Sequence, residues 1–392
     1  MSSASNASRP RYDSLDAWRG VACLMVIIYH STLMLRSQAA TAGAGTLETL
    51  ARWIVQATAH GNAGVALFFV ISGYCIAAAG DSVRSGRHSV TTYFLRRVRR
   101  IYPPLWAVIG LSCLFFVGVD VLIWPRLLSS EPWFHPRPWW YSGWQWLGNL
   151  TLTESWRWHV IGDQRAHFPA QAWTLCYEEQ FYGVVGLLLA IGRTRFFSGA
   201  ILVTVFTLGM MAGRALLGWP IEGFFFDGAW MLFAAGVLVY WTLHYGTRHA
   251  RWWAGAVLVL SAMTVPAGPA GSTAAFAFAA LLLVLYPFDE ALMTSSWARP
   301  LIFCGQMCYS LYLVHELIVK AIAASLWNSG VQSAVATLVI VVPISLAMSV
   351  LAGALCYQTI ERRFLNTPRP ISLARRTPQA AVSRPSPGLS PS

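Results

Sequence analysis

Ten stretches of mainly apolar residues alternate with short polar segments along the chain. A helix that crosses a membrane needs about 20 mostly apolar residues, and the stretches are close to that length. The predicted spans are residues 16–36, 62–80, 101–123, 175–192, 197–217, 224–244, 252–268, 272–288, 301–326 and 332–357. The pattern therefore predicts an all-α fold, a polytopic membrane helical bundle in a single domain over residues 15–365.

The composition indicates that lipid, and not water, solvates this fold. Of the 392 residues, 56% are hydrophobic and 11% are charged, with a mean hydropathy of +0.51. Soluble domains carry about 25% charged residues. The formal net charge of +12 comes from short basic clusters between apolar stretches. Because these clusters do not follow one polar face, we expect no nucleic-acid partner.

The cysteines do not indicate a disulfide framework or a metal site. All seven lie within or at the edge of apolar stretches, whereas disulfide scaffolds place cysteines in their loops. Cys304 and Cys308 share a helical face but have no companion ligands nearby in the sequence. We expect them to be packing residues, and we expect no metal in the protein.

The arginines predict the orientation in the membrane. With the N-terminus inside, twenty arginines fall on the inner side and six on the outer side, as the positive-inside rule requires. Both termini are then cytoplasmic, and residues 1–14 and 366–392 have the composition of disordered segments. A cleaved signal peptide is the alternative for the first stretch. Asp16, Arg19 and His30 within that stretch favour a retained helix.

The outer loop at 124–172 is rich in tryptophan. Its eight tryptophans are Trp124, Trp133, Trp139, Trp140, Trp144, Trp146, Trp156 and Trp158. One interpretation is an aromatic belt at the membrane interface. The other is a surface on which the C–H groups of a sugar stack, and the sequence does not decide between them. Within the loop, residues 142–154 are too few and too polar to span the membrane, so they lie at the interface or re-enter.

The first span carries ionisable residues, which are costly inside a membrane. Arg19 and His30 are eleven positions apart, close to three helical turns, so they lie on one face about 16 Å apart along the axis. Arg19 could instead extend to the lipid headgroups, and His30 could bond a neighbouring helix. With both on one face, we favour function.

A neutral histidine in apolar surroundings is suited to act as a general base. His30 could take the proton from a hydroxyl as the hydroxyl oxygen attacks a thioester. A nearby carboxylate would orient the ring, and the candidates are Asp16, Glu178 and Glu179.

Two further segments contain charged residues that could bind a substrate or take part in catalysis. YFLRRVRRIYPPLW, at 93–106, holds Arg96, Arg97, Arg99 and Arg100. Residues three apart on a helix are neighbours, so Arg96 with Arg99, or Arg97 with Arg100, could grip one polyphosphate. Plain anchoring on the positive inner side is the alternative. WTLCYEEQFY, at 173–182, has two adjacent carboxylates that point about 100° apart on a helix, so only one of them can face a shared cavity.

A second intramembrane histidine, His315, lies in YSLYLVHELIV with Glu316 beside it. A satisfied buried histidine is the simple interpretation of this residue, and a site residue is the alternative.

Taken together, these segments resemble the acyltransferase-three family of bacterial membrane O-acyltransferases. The resemblance runs from about residue 12 to 364. It rests on five motifs in order: YDSLDAWRGVACLMVIIYH, GVALFFVISGY, FLRRVRRIYPPLW, WTLCYEEQFY and YSLYLVHE. Many family members have an acidic residue where Ala66 stands here, and a glycine at Ala17.

The resemblance implies an inner-membrane enzyme that moves an acyl group, such as acetyl, from cytoplasmic acyl-CoA to a hydroxyl of an exported or cell-surface polysaccharide. It implies a base at His30, supported by Glu179, Glu178 or Asp16. The implied coenzyme A ligands are Arg19, Arg96, Arg97, Arg99 and Arg100. The implied substrate-binding residues are Ser72, Trp173, Tyr177 and His315.

Other functions stay open at this point. A transporter of a glycan or an acyl carrier would also use intramembrane charges. A non-catalytic scaffold in the polysaccharide-synthesis machinery is a further alternative. An enzyme that acylates a lipid or a small glycoside would share the donor chemistry and differ only in the acceptor.

Overall fold

The structure is a computed structural model that describes residues 12–38, 45–124, 137–264 and 271–365. These residues form helices and turns, with no β-strand among them. The α-helices are α1 (Leu15–Ser31), α2 (Leu33–Arg36), α3 (Thr46–Ala57), α4 (Ala63–Arg84), α5 (Val90–Phe115), α6 (Gly143–Leu150), α7 (Glu154–Ile161), α8 (Trp173–Gly192), α9 (Phe196–Leu217), α10 (Ala229–Tyr245), α11 (Arg248–Thr264), α12 (Ser272–Leu285), α13 (Asp289–Thr294), α14 (Ala298–Gln306), α15 (Cys308–Asn328), α16 (Ala334–Ala336) and α17 (Val342–Thr359). The predicted all-α fold is confirmed.

Six segments of the described chain are long and apolar enough to cross a membrane. They are Thr46–Arg84, Val90–Ile123, Ala170–Leu217, Ser272–Thr294, Cys308–Asn328 and Ala334–Thr359. Ala170–Leu217 contains two of the predicted spans, which meet at a turn over Arg193–Arg195. Each of the ten predicted stretches lies mainly in helix where it is described, although 16–36 is interrupted at Thr32 and 224–244 becomes α-helical only at Ala229. The total of ten spans and the cytoplasmic termini stay predictions.

Several predicted segments lie outside the described residues. They are the N-terminal residues 1–11, the tail 366–392, and residues 125–136 of the outer loop with Trp133. Residues 12–14, by contrast, are packed: the Tyr12 hydroxyl donates to the Leu282 carbonyl at 2.8 Å, and the Asp13 and Ser14 amides donate to Asp289, each at 2.9 Å.

Two predicted boundaries are wrong. The helix predicted at 101–123 begins at Val90, because the Ser89 side chain caps it by accepting from the Thr92 amide at 3.0 Å. The arginine segment therefore lies inside α5. The helix predicted at 301–326 is interrupted at Met307, which separates α14 from α15. Gly305 and Gln306 directly before the break are the only polar signal of it in the sequence, and the predicted helix runs through them.

The two halves of the interrupted helix make different contacts with α1. α14 lies against α1 so closely that a Cβ on Gly305 would be 1.6 Å from the carbonyl oxygen of Asp16, and a Cβ on Gly20 would be 2.0 Å from that of Leu301. Small residues permit such close approach in membrane bundles. α15 also packs on α1, and His315 lies beside His30 there.

The rest of the bundle forms around α4. α4 packs against α1, α8 and α10. On α4 and α10, glycines again allow close approach, because a Cβ on Gly73 would be 2.0 Å from the Phe233 carbonyl oxygen and one on Gly236 would be 1.9 Å from that of Val70. The centre of the molecule is therefore surrounded by α1, α4, α8, α10 and α15.

The described part of the tryptophan-rich loop folds into two short helices, α6 and α7. Glu154 is fully buried and ties α7 to the segment that follows it: it accepts from Arg157 Nε at 2.7 Å and from the Ala166 amide at 2.8 Å. Its hydrogen bonds raise the pKa of the Arg157 guanidinium above the ordinary value. Asn149 ties the same loop together by donating to the Ala166 carbonyl and accepting from the Phe168 amide. The described part of the loop is therefore a folded surface that packs next to α8.

Candidate active site

His30 lies near the end of α1 and borders a cavity of about 340 Å³ at the centre of the bundle. The cavity is lined by Val26, Tyr29, His30, Asn62, Val65, Ala66, Phe69, Trp173, Tyr177, Asp227, Ala229 and Leu232. We name it the middle cavity. The predicted substrate residues Trp173 and Tyr177 are thereby brought to the same space as the predicted base.

His315 lies beside His30 on the neighbouring helix α15. The two ring centroids are 5.5 Å apart, with the planes inclined by 54°. His315 is 2% exposed, and its Nδ1 is 2.7 Å from the Tyr312 carbonyl oxygen. One turn further along, Lys320 Nζ lies 2.5 Å from Glu316 Oε1. His315 therefore faces His30 within the bundle and does not line the middle cavity, where a substrate-binding residue would lie.

Asp16 does not orient His30, which corrects one of the expected roles. The two residues are fourteen positions apart on α1, about 21 Å along the axis. Asp16 instead pairs with Arg19, Oδ1 to Nη1 at 2.7 Å. The residue that lies beside the His30 ring is His315, because α15, and not the start of α1, passes next to His30.

Arg19 lines a second cavity of about 110 Å³, which we name the inner cavity. Its polar lining consists of Arg19, Ser72, Cys75, Arg97, Arg100, Thr174, Glu178, Tyr182, Cys308, Tyr309 and Tyr312. Three guanidinium groups thus face one small space from α1 and α5. Such groups are typical ligands of phosphate and carboxylate.

Only one pair of arginines on α5 faces this cavity. Arg97 and Arg100 are half-buried and line it, whereas Arg96 and Arg99 are exposed and do not. Helical periodicity separates the pairs, since residues three apart share a face. Arg99 instead donates to the Arg363 carbonyl at 3.3 Å.

The two adjacent carboxylates of α8 point in different directions, as predicted. Glu178 lines the inner cavity and accepts from the Ser72 hydroxyl at 2.6 Å and from the Tyr182 hydroxyl. Glu179 lies next to the Tyr102 phenol. Glu178 is therefore the carboxylate that reaches the site, and Ser72 contacts it there.

A third and larger cavity, of about 790 Å³, lies in the tryptophan-rich loop, and we name it the outer cavity. Its lining is Trp140, Tyr141, Gln145, Ser155, Gln164, Arg165, Ala166, His167, Ala170, Trp173, Tyr177 and Glu222. Aromatic rings alternate here with amide, hydroxyl and charged groups. Arg165 and Glu222 form an ion pair at 3.2 Å in this wall.

The three cavities share walls in series. Val65 and Phe69 line both the inner and the middle cavity. Trp173 and Tyr177 line both the middle and the outer cavity. The arginines, His30 and the tryptophan-rich loop therefore follow one another along a single line of cavities.

Sequence reasoning missed some residues of this site. Asp227 lines the middle cavity and accepts from the Tyr177 hydroxyl at 2.7 Å. Its only sequence signal is a single acid followed by glycine between apolar stretches. Asn62 also lines the middle cavity, and nothing in the sequence distinguishes it. Among the described residues, no group of three or more His, Cys, Asp or Glu side chains is arranged to hold a metal ion.

A family model described as an acyltransferase domain matches residues 12–357. The chain belongs to the acyltransferase-three family. The match covers all five motifs, so the predicted resemblance is confirmed. No curated protein and no solved structure matches the chain. With its apolar helices, this acyltransferase-three protein is a membrane acyltransferase.

The two departures from the family pattern occupy defined places. Ala66 is 1% exposed and lines the middle cavity, so the acid that many members carry there would face His30's cavity. Ala17 lies in the apolar contact with Ala298 and Ile302 of α14. Asp227 supplies a carboxylate to the same cavity from the other side.

Proposed function

We propose that this protein transfers an acyl group, acetyl in the simplest case, from acyl-CoA on the cytoplasmic side to a hydroxyl of an exported or cell-surface polysaccharide sugar. The enzyme works in the bacterial inner membrane with both termini in the cytoplasm. The observation that carries this proposal is the series of three cavities, which links three arginines to His30 and His30 to an aromatic outer surface.

The inner cavity suits the donor. Arg19, Arg97 and Arg100 provide positive charge for the phosphate groups of coenzyme A. Arg19 is about 16 Å below His30 along α1, a separation that an extended pantetheine arm can bridge. The arm would pass Val65 and Phe69, which border both cavities, and would present its thioester in the middle cavity.

The outer cavity suits the acceptor. Trp140 and Tyr141 offer flat apolar faces, and Gln145 and Gln164 offer amide groups for sugar hydroxyls. Its volume of about 790 Å³ is sufficient for more than one sugar ring. Because Trp173 and Tyr177 border the middle cavity as well, an acceptor held there would direct a hydroxyl toward His30.

His30 then supplies general base catalysis. It removes the proton from the sugar hydroxyl while the hydroxyl oxygen forms a bond to the thioester carbonyl carbon. The carbon–sulfur bond breaks, the ester is formed, and the proton passes from His30 to the coenzyme A thiolate. No net proton or electron is required, so the step needs only the two substrates.

Mass spectrometry of surface glycans tests the proposal. Cells with the protein should gain one acetyl mass unit per repeat, and cells with His30→Ala at equal membrane abundance should not. Acetylation that persists with His30→Ala would contradict the assigned base. Transport of a glycan without acylation would favour a transporter. Acetyl label found only in lipid or in a small glycoside would show that this molecule, and not a polysaccharide, is the acceptor.

A further inference from the structure

Two buried imidazole nitrogens at the His30–His315 contact have no hydrogen-bond partner among the described residues. They are His30 Nδ1 and His315 Nε2. A buried polar atom without a partner costs free energy. The two ring centroids are 5.5 Å apart, so a rotation that turned these two nitrogens toward each other would bring them to about hydrogen-bond distance.

The hydrogen bond made by His315 Nδ1 shows which nitrogen of that ring carries the hydrogen. Nδ1 lies 2.7 Å from the Tyr312 carbonyl oxygen. A carbonyl oxygen only accepts, so His315 Nδ1 must be the donor. In a neutral ring Nε2 then has a lone pair and can only accept. The atom of His315 left without a partner is therefore an acceptor.

The backbone that holds His315 in this state is itself fixed. Gln171 is buried, and its amide donates to the Leu313 carbonyl at 2.6 Å. The Tyr312 hydroxyl contacts both the Gln171 carbonyl and, at 2.6 Å, the Thr174 hydroxyl. The turn of α15 that carries His315 is thus tied to the start of α8, the helix that also carries Trp173 and Tyr177.

We propose that His315 is a positioning residue, which accepts a hydrogen bond from His30 Nδ1–H and so holds His30 with the lone pair on Nε2. Nε2 is then the nitrogen that acts as the base. Bonds of this kind are often long before substrate is bound and shorten in the complex. The proposal rests on the proposed function for its catalytic meaning, but the state of the His30 ring can be measured without turnover.

Two substitutions separate positioning from packing. Gln in place of His315 keeps an acceptor, the side-chain oxygen, near the position of Nε2, whereas Met fills similar space without one. We expect H315Q to retain most of kcat and H315M to lose about 10²-fold, with the KM for acetyl-CoA unchanged in both. Full kcat in H315M, or equal loss in both variants, would overturn the proposal.

¹⁵N NMR of the wild-type protein with ¹⁵N-labelled histidine side chains gives a test that does not depend on the His315 variants. The His30 signals are identified by their loss in His30→Ala. We expect Nδ1 protonated and Nε2 unprotonated at neutral pH, and the opposite tautomer would overturn the proposal. If the wild-type protein transfers no acetyl group, the proposed function fails, while the tautomer result still decides the contact between His30 and His315.

Discussion

The Tyr177 hydroxyl donates to Asp227 Oδ2 at 2.7 Å, in the wall that separates the His30 cavity from the outer loop. Asp227 also accepts from the amides of Gly223 and Ala229, each at 3.2 Å. The carboxylate thereby connects α8 with the turn that precedes α10. Tyr177 borders both the middle and the outer cavity, so this bond fixes a side chain at the place where an acceptor would enter.

Tyr177→Phe should weaken use of the acceptor without affecting the donor. The loss of a hydrogen bond to a charged group costs roughly 1.5–3 kcal/mol, and the freed ring would no longer be held at the passage. We expect the acceptor KM to rise about tenfold, with the KM for acetyl-CoA unchanged, in steady-state assays of purified enzyme. Tyr245→Phe is the matched control, since Tyr245 donates to Asp81 at 2.6 Å away from the cavities. Equal effects of the two changes would contradict this assignment.

The two arginine pairs of α5 should differ in their effect on the donor. R97Q/R100Q removes two charges that line the inner cavity, and R96Q/R99Q removes two from the exposed face of the same helix. Charge-assisted hydrogen bonds are stronger than neutral ones. We therefore expect the acetyl-CoA KM to rise at least about tenfold in the first variant and to change little in the second. If both variants behaved alike, the arginines would serve only as an inner-side anchor.

Gly305→Ala should destabilise the fold more than an ordinary helix substitution. The added Cβ would lie 1.6 Å from the Asp16 carbonyl oxygen, so α14 and α1 must separate. Overpacking typically costs about 1–3 kcal/mol. The added Cβ would meet backbone atoms of Asp16, which cannot move aside as a flexible side chain can, so we expect a cost at the upper end of this range. Gly110→Ala on α5 is the control, because nothing lies within 4 Å of its added Cβ. Thermal unfolding in detergent should give a lower Tm for Gly305→Ala only.

Burial raises the pKa of the Glu361 carboxyl above its ordinary value, although Ser310 and Arg100 act in the opposite direction. Glu361 lies beyond the last helix and accepts from the Ser310 amide at 3.0 Å and from its hydroxyl at 2.6 Å. The folded protein therefore holds this proton more tightly than the unfolded chain does. Stability from this group is complete below the unfolded pKa and is lost as pH rises through the folded value.

Relative to Glu361→Gln, the wild-type protein should therefore become more stable as pH is lowered from 7 toward the unfolded pKa of about 4.3. The measurement is the difference in Tm between the two proteins at each pH. Glu290→Gln, which removes an exposed carboxyl elsewhere in the protein, is measured alongside as the control for the substitution itself. A wild-type advantage that grows with rising pH would show that Arg100 and Ser310 dominate over burial.

Much of this fold is encoded in simple periodicity. Apolar length identified most of the long helices but missed α3 (Thr46–Ala57), and the eleven-residue spacing placed Arg19 and His30 on one face. The choice between Glu178 and Glu179 needed the structure, because it depends on where α4 presents Ser72. The break at Met307 follows Gly305 and Gln306, but two such residues do not by themselves distinguish an interrupted helix from a continuous one.

The partners of His30 could not be inferred from α1. Asp16 is near it in sequence, but a carboxylate fourteen residues away on a helix is remote in space. His315 lies beside the ring only because α15 packs on α1. Long-range contacts of this kind depend on how helices cross, which a single sequence does not reveal.

The role of His30 as the base in acyl transfer across the membrane is tested by the initial rate of acetyl transfer by purified protein in proteoliposomes. Labelled acetyl-CoA is supplied on the side of the arginine segment and a polysaccharide acceptor on the other side, with wild-type protein and His30→Ala compared at equal incorporation. We expect transfer by the wild type and a rate at least about 10²-fold lower for His30→Ala, with coenzyme A binding retained. A wild-type rate from His30→Ala would rule out His30 as the base.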